Sequence, residues 1–157
     1  MKYLLSTLMA LALHSAAASD EYSVVVGNGV KVDGVAELGD DWNTGYIWLV
    51  NAKQTVSGPS VKGRIRIVAV SHAQPTDAYI RSVQLFVLSP IVKTNPESNE
   101  EPKFSLIASS PLYKKGRYCV AFRPSQIAIP IDDAAVERDE DNDYCFSKKA
   151  LLEAARQ

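Results

Sequence analysis

The chain has 157 residues, with 17 basic and 18 acidic side chains, two cysteines, two histidines and a formal net charge of −1. That balance argues against a general polyanion binder and against a membrane-surface binder, both of which need an excess of Lys and Arg. So few thiols and imidazoles also argue against a zinc centre built from closely spaced Cys and His ligands.

Residues 1–18 have the pattern of an export signal. Lys2 supplies a positive start, Tyr3–Leu13 is apolar apart from Ser6 and Thr7, and Ala16, Ala17 and Ala18 provide small residues for cleavage. The apolar run is too short to span a bilayer, and no later stretch approaches spanning length. Cleavage after Ala18 leaves residues 19–157 as a single β-rich domain with 16 basic and 18 acidic side chains, since Lys2 departs with the signal. The expected location is periplasmic or extracellular, without membrane insertion. His14 also departs, which makes His72 the sole imidazole of the mature domain.

Glu21–Leu38 is valine-rich around Gly27-Asn28-Gly29, which predicts a hairpin with its turn at Asn-Gly. Tyr46–Lys53 is apolar on both faces near its start, as in a strand covered on two sides. Val61–His72 is the longest alternating stretch. Val61, Gly63, Ile65, Ile67 and Ala69 share one apolar face, while Lys62, Arg64, Arg66, Val68, Val70 and His72 share the other. Gly63 predicts a bulge or a bend at a barrel corner. After a turn at Gln74–Asp77, Ala78–Ser89 predicts a strand covered on both faces. Tyr46–Ser89 is therefore a three-stranded meander with Val61–His72 in the middle.

Asn95–Pro102, with two prolines and three glutamates, predicts an exposed loop. Phe104–Ser109 and Arg117–Phe122 are short strands, the second with Tyr118, Val120 and Phe122 facing inward. Gln126–Ile131 is a last strand, kept to an edge by Pro130. Asp132–Asp143 holds seven acidic residues against Arg138 and predicts a solvated linker. Ser147–Gln157 has helical spacing at Leu151, Leu152 and Ala155. Eight strand candidates and one terminal helix, without β–α alternation, predict a mainly β protein. A small antiparallel Greek-key barrel of the oligonucleotide/oligosaccharide-binding (OB) type is the first choice, and an immunoglobulin-like sandwich the second.

Cys119 and Cys145 in an exported domain predict one disulfide, stapling the helix to the outer face or open end of the sheet. Asp139, Asp141 and Asp143 carry the alternate oxygens of a calcium loop, but Tyr144 and Ala150 stand where an EF-hand needs Gly and Glu. They are candidates for contact with a partner or for a looser calcium site. Lys62, Arg64 and Arg66, with Tyr46, Trp48 and Tyr79 on adjacent strands, are a candidate anionic-ligand face; the plain alternative is a solvated strand face whose charges discourage edge pairing. No residue is assigned a catalytic role: a Ser–His–Asp site would have to use His72, there is no Gly-x-Ser-x-Gly elbow, and the carboxylates cluster in loops. No cofactor or metal is expected. These features point to an exported, non-enzymatic binding module, such as an inhibitor, immunity-type or accessory protein with a protein partner. The alternatives are a secreted hydrolase using carboxylates or His72, and an OB-like binder of anionic ligands or oligonucleotides; the net acidic charge and exported location disfavour nucleic acid.

Overall fold

The computed structural model describes residues 22–36, 44–71, 73–91, 101–113 and 115–156. The expected signal segment, Trp42, His72 and most of the acidic loop at 95–102 lie outside them.

Five strands close into a barrel: β1 (Ser23–Ala36), β2 (Thr44–Ser57), β3 (Gly63–Ser71), β4 (Val83–Pro90) and β5 (Phe104–Pro111). Their order around the wall is β1-β2-β3-β5-β4, and β4 pairs back onto β1 to close the ring. The antiparallel meander is β1–β2–β3 and not the expected Tyr46–Ser89, because β4 pairs with β1 and β5, and β3 instead meets β5 in parallel through Ile67↔Phe104 and Val68↔Ser105. This is the Greek-key barrel expected from the sequence, and not a sandwich.

The expected hairpin at Gly27-Asn28-Gly29 does not form. β1 runs straight through it, pairing with β2 along its length and with β4 over Ser23–Asn28. The glycines serve close approach: a Cβ on Gly27 would collide with the Asn51 carbonyl, and one on Gly29 would lie 2.5 Å from Ile80. Register shifts flank this stretch, so β1 coils sharply enough to serve two neighbours. Gly63 is likewise not a bulge. It has φ +81° at the first residue of β3, and its pairing with Ala52 is in register with the rest of β3.

Ala78–Ser89 is not one strand either. Thr76 caps a one-turn helix, α1 (Asp77–Arg81), by accepting from the Tyr79 N–H, and β4 begins at Val83. Ile80 of α1 is buried against β1 at Gly29.

Alternation along the strands creates two cores. The barrel interior holds Val25, Trp48, Val50, Ile67, Ala69, Phe86 and Leu88. Their neighbours Val24, Val26, Leu85 and Val87 point outward and are also fully or nearly fully buried. What covers them is a C-terminal layer: β6 (Arg117–Val120), β8 (Tyr144–Ser147), the two-residue β7 (Glu137–Arg138) and helix α2 (Lys148–Ala154). Tyr118, Phe146 and Leu151 fill the space between this layer and the barrel wall. Each such burial contributes roughly 1.5–3 kcal/mol, so the outer faces of β1 and β4 are what hold the C-terminal layer to the wall.

Gln126–Ile131 is not a strand. Pro124 opens a 3-10 turn over Pro124–Ile127, and Ala128 follows with φ 57°, so no ladder can continue. The inward side of the pattern survives: Ile127, Ile129 and Ile131 are all buried in the outer core. Phe122, expected to face inward with Tyr118 and Val120, lies beyond β6 and is 45% exposed. The expected linker at Asp132–Asp143 instead contains a short 3-10 turn and β7, and β8 intervenes before the helix. Among the described residues no helix is long and apolar enough to cross a membrane.

Candidate functional site

The expected disulfide is present. Cys119 and Cys145 sit directly opposite each other in the β6–β8 ladder, with Cα atoms 4.1 Å apart. It therefore joins two strands of the C-terminal sheet and does not tie the helix to the barrel, as the sequence reading expected. α2 starts one residue after β8, with Ser147 as its N-cap, and reaches the barrel wall through Leu151. The barrel connection of the disulfide is polar: the Cys119 N–H donates to the Ser110 hydroxyl at 2.8 Å, and fully buried Ser110 lies on β5.

Beside the disulfide lies the acidic turn that links β7 to β8. Asp139 organises it. Its Oδ1 accepts from the Asp141 and Asp143 N–H groups at 3.0 and 2.8 Å. The Asp139 N–H donates to the Asp143 carbonyl at 3.1 Å, and Asn142 takes the positive φ, 66°, that closes the turn. Asp139 Oδ2 rests 3.5 Å from Cys145 Sγ. A disulfide sulfur carries no proton, so this is a packing contact and not a hydrogen bond. Among the described residues, Asp139 and the two cysteines are the side chains of metal-ligating type brought within 4.8 Å of one another. Asp141 and Asp143 are not gathered into that group, and the sulfurs are already bonded to each other.

Arginines brace the turn. The Arg138 guanidinium lies 3.8 Å over the Tyr144 ring and donates to the Asn142 carbonyl at 2.7 Å. The Tyr144 hydroxyl accepts from both Arg138 and Arg123. Arg117 pairs with Glu137 at 2.8 Å. Glu140 and Asp141 project into solvent at the tip, while Asp139 and Asp143 are half-buried behind them. Desolvation, and then the neighbouring Asp139 and Asp141 carboxylates, push the Asp143 carboxyl above the ordinary 3.8.

The basic stripe is differently built from its expectation. Lys62 and Arg64 are exposed, but Arg66 donates from Nε to Asp33 at 2.8 Å, and Lys31 meets the other Asp33 oxygen at 2.6 Å. Hydrogen bonds from Lys31 and Arg66 hold the Asp33 carboxyl below its ordinary 3.8. The aromatics expected beside the stripe lie across the barrel wall from it. Trp48 is 3% exposed in the interior, with Tyr46 and Tyr79 packed around the same core. Cations and rings therefore form no common surface.

Two features escaped the sequence reading. Asp33 has no local signal, because only the β1–β2–β3 register brings it beside Arg66. The hairpin order at 139–143 did have a local signal, an Asp followed by polar residues and an Asn suited to positive φ. No protein-family model, curated protein or solved structure matches this chain.

Proposed function

We propose that the protein is an exported, non-enzymatic binding module, released by cleavage near Ala18, whose acidic β7–β8 turn engages a basic surface on a protein partner. One observation carries the reading: the acidic turn is preorganised. Asp139 ties its backbone, Arg138 and Tyr144 brace it, and the disulfide lies directly beneath. A rigid loop loses little entropy on docking, and complementary charge speeds encounter and selects partners. The disulfide and the lack of a spanning helix among the described residues are compatible with an exported chain.

The test uses Glu140 and Asp141, which are exposed and not needed for the turn's own hydrogen bonds through their side chains. Bait carrying Glu140→Lys and Asp141→Lys should lose the salt-sensitive partner that wild-type bait recovers from native extract. Equal recovery by both baits would remove the acidic turn from the interface.

A further inference from the structure

β8 separates two surfaces of opposite charge. The acidic turn precedes it, with the Glu140 and Asp141 side chains exposed at the tip. Neither forms an ion pair among the described residues, because Arg117 is engaged with Glu137, and Arg138 with Asn142 and Tyr144. At the other end of β8, the turn at Lys115 and Gly116 and the outer side of α2 enclose an open groove of about 600 Å³. Lys115, Lys148, Lys149 and Arg156 line it, with Leu152 and Glu153 between them. The Gly116 carbonyl accepts the Lys148 N–H at 2.9 Å, which fixes the turn against the start of the helix. Glu153 lies 3.8 Å from Lys149, so Lys115, Lys148 and Arg156 are left without a carboxylate partner among the described residues.

The complement of this groove is therefore present on the same chain, yet it cannot reach it. The four residues of β8 hold the two surfaces apart by roughly 13 Å at about 3.3 Å per residue. We propose that the groove is the docking site for the acidic turn of a second copy of this chain, with Glu140 and Asp141 meeting Lys115, Lys148 and Arg156. The proposal rests on the acidic-turn reading above and supplies its partner. A projecting, braced turn enters a concave groove of opposite charge, so shape and electrostatics agree. Different patches meet on the two copies, so each bound copy keeps a free turn or a free groove, and association continues into a ring or a short chain. A contact made by one turn and one groove is small, which makes it transient and sensitive to salt.

Sedimentation of the purified protein at low salt should give an average mass that rises with concentration. High salt should return it to the monomer. Lys148→Glu with Arg156→Glu should weaken association at least about tenfold, as should Glu140→Lys with Asp141→Lys, while the melting temperature shows that both variants are folded. Wild-type protein gives a second readout, in an equal mixture of isotopically light and heavy copies. A carbodiimide joins carboxylates to amines in contact, so peptide pairs of mixed isotope should link Glu140 or Asp141 to Lys115, Lys148 or Lys149. A monomer at every concentration, or such links only within one isotope, would overturn the proposal and leave the acidic turn to its own pull-down test. Association lost with the turn variant but kept by the folded groove variant would overturn the groove and retain the turn as an interface. Association indifferent to both variants would overturn both readings.

Discussion

Leu85 and Phe86 are adjacent on β4, both fully buried, and they belong to different cores. Phe86 faces into the barrel, which closes on itself through five hydrogen-bonded strands. Leu85 faces out, toward a C-terminal layer of short strands and a seven-residue helix. A closed barrel removes its own edges, whereas four-residue strands and a helix this short cannot hold themselves together. The barrel is thus secured by topology, and the outer layer by its apolar contact with the wall and one covalent bond. The comparison shows why the protein carries a disulfide, and why the disulfide lies in the outer layer.

Substitutions in the two cores should separate these roles. Phe86→Ala should cost about 3–5 kcal/mol and lower protection against hydrogen exchange in every barrel strand. Tyr118→Ala should cost a similar amount in total stability. Its first effect should be local, with exchange rising in β6, β8 and α2 before β2 and β3. If both variants lose protection in the same pattern, the two cores are a single cooperative unit. Cys119→Ser with Cys145→Ser should cost about 3–4 kcal/mol, from the chain entropy of a loop closed across a separation of 26 residues. Ser110→Ala should cost about 1–3 kcal/mol, because it leaves the Cys119 N–H without its acceptor. Chemical denaturation measures both, and a Ser110→Ala variant as stable as wild type would show that the polar link between layers is dispensable.

The smallest effects concern two aspartates that shift in opposite directions. Asp33 has a lowered pKa, so its contribution is present above pH 3.8 and is lost as pH falls through the lower folded value. Asp33→Asn should therefore lower stability above pH 3.8, leave it unchanged well below the folded value and so make the acid limb of the profile shallower, an effect weakened by salt. Asp143 has a raised pKa, so its ionisation opposes folding as pH rises from 3.8 through the higher folded value. Asp143→Asn should raise the melting temperature slightly at neutral pH. If it lowers it, Asp143 makes a favourable contact that outweighs the crowding of carboxylates. Millimolar calcium should leave the melting temperature unchanged, since Asp139 Oδ1 already accepts two N–H groups of its own turn and Asp141 and Asp143 are not gathered around it.

The barrel was legible in the sequence where alternation was strong. β2, β3 and the two-sided β4 stood out because branched and aromatic residues recur at period two. What misled was local chemistry with a second use. Gly27 and Gly29 looked like a turn and instead admit neighbouring backbone and Ile80 at close range. The isoleucines at 127, 129 and 131 alternate like a strand, yet Pro124, Ala128 and Pro130 turn the segment into an irregular strap that still buries the same three side chains. β7 and β8 were hidden by charge and brevity. Of the candidate site, the cysteine pairing followed from counting. The pairing of Arg66 with Asp33 depended on strand register, which composition does not encode. Strand adjacency alone puts Trp48 near the basic stripe, but alternation sends its side chain into the barrel interior and the Arg64 and Arg66 side chains to the other face of the wall.

The central claim is that a self-sufficient barrel carries a disulfide-held outer layer. Hydrogen exchange measured before and after reduction of the Cys119–Cys145 bond tests it most directly. Amides at 117–120 and 144–154 should lose protection first and by the largest factor, while those at 64–70 and 84–88 remain protected. Uniform loss across both sets would contradict the account, because the barrel would then depend on the disulfide as much as the outer layer does.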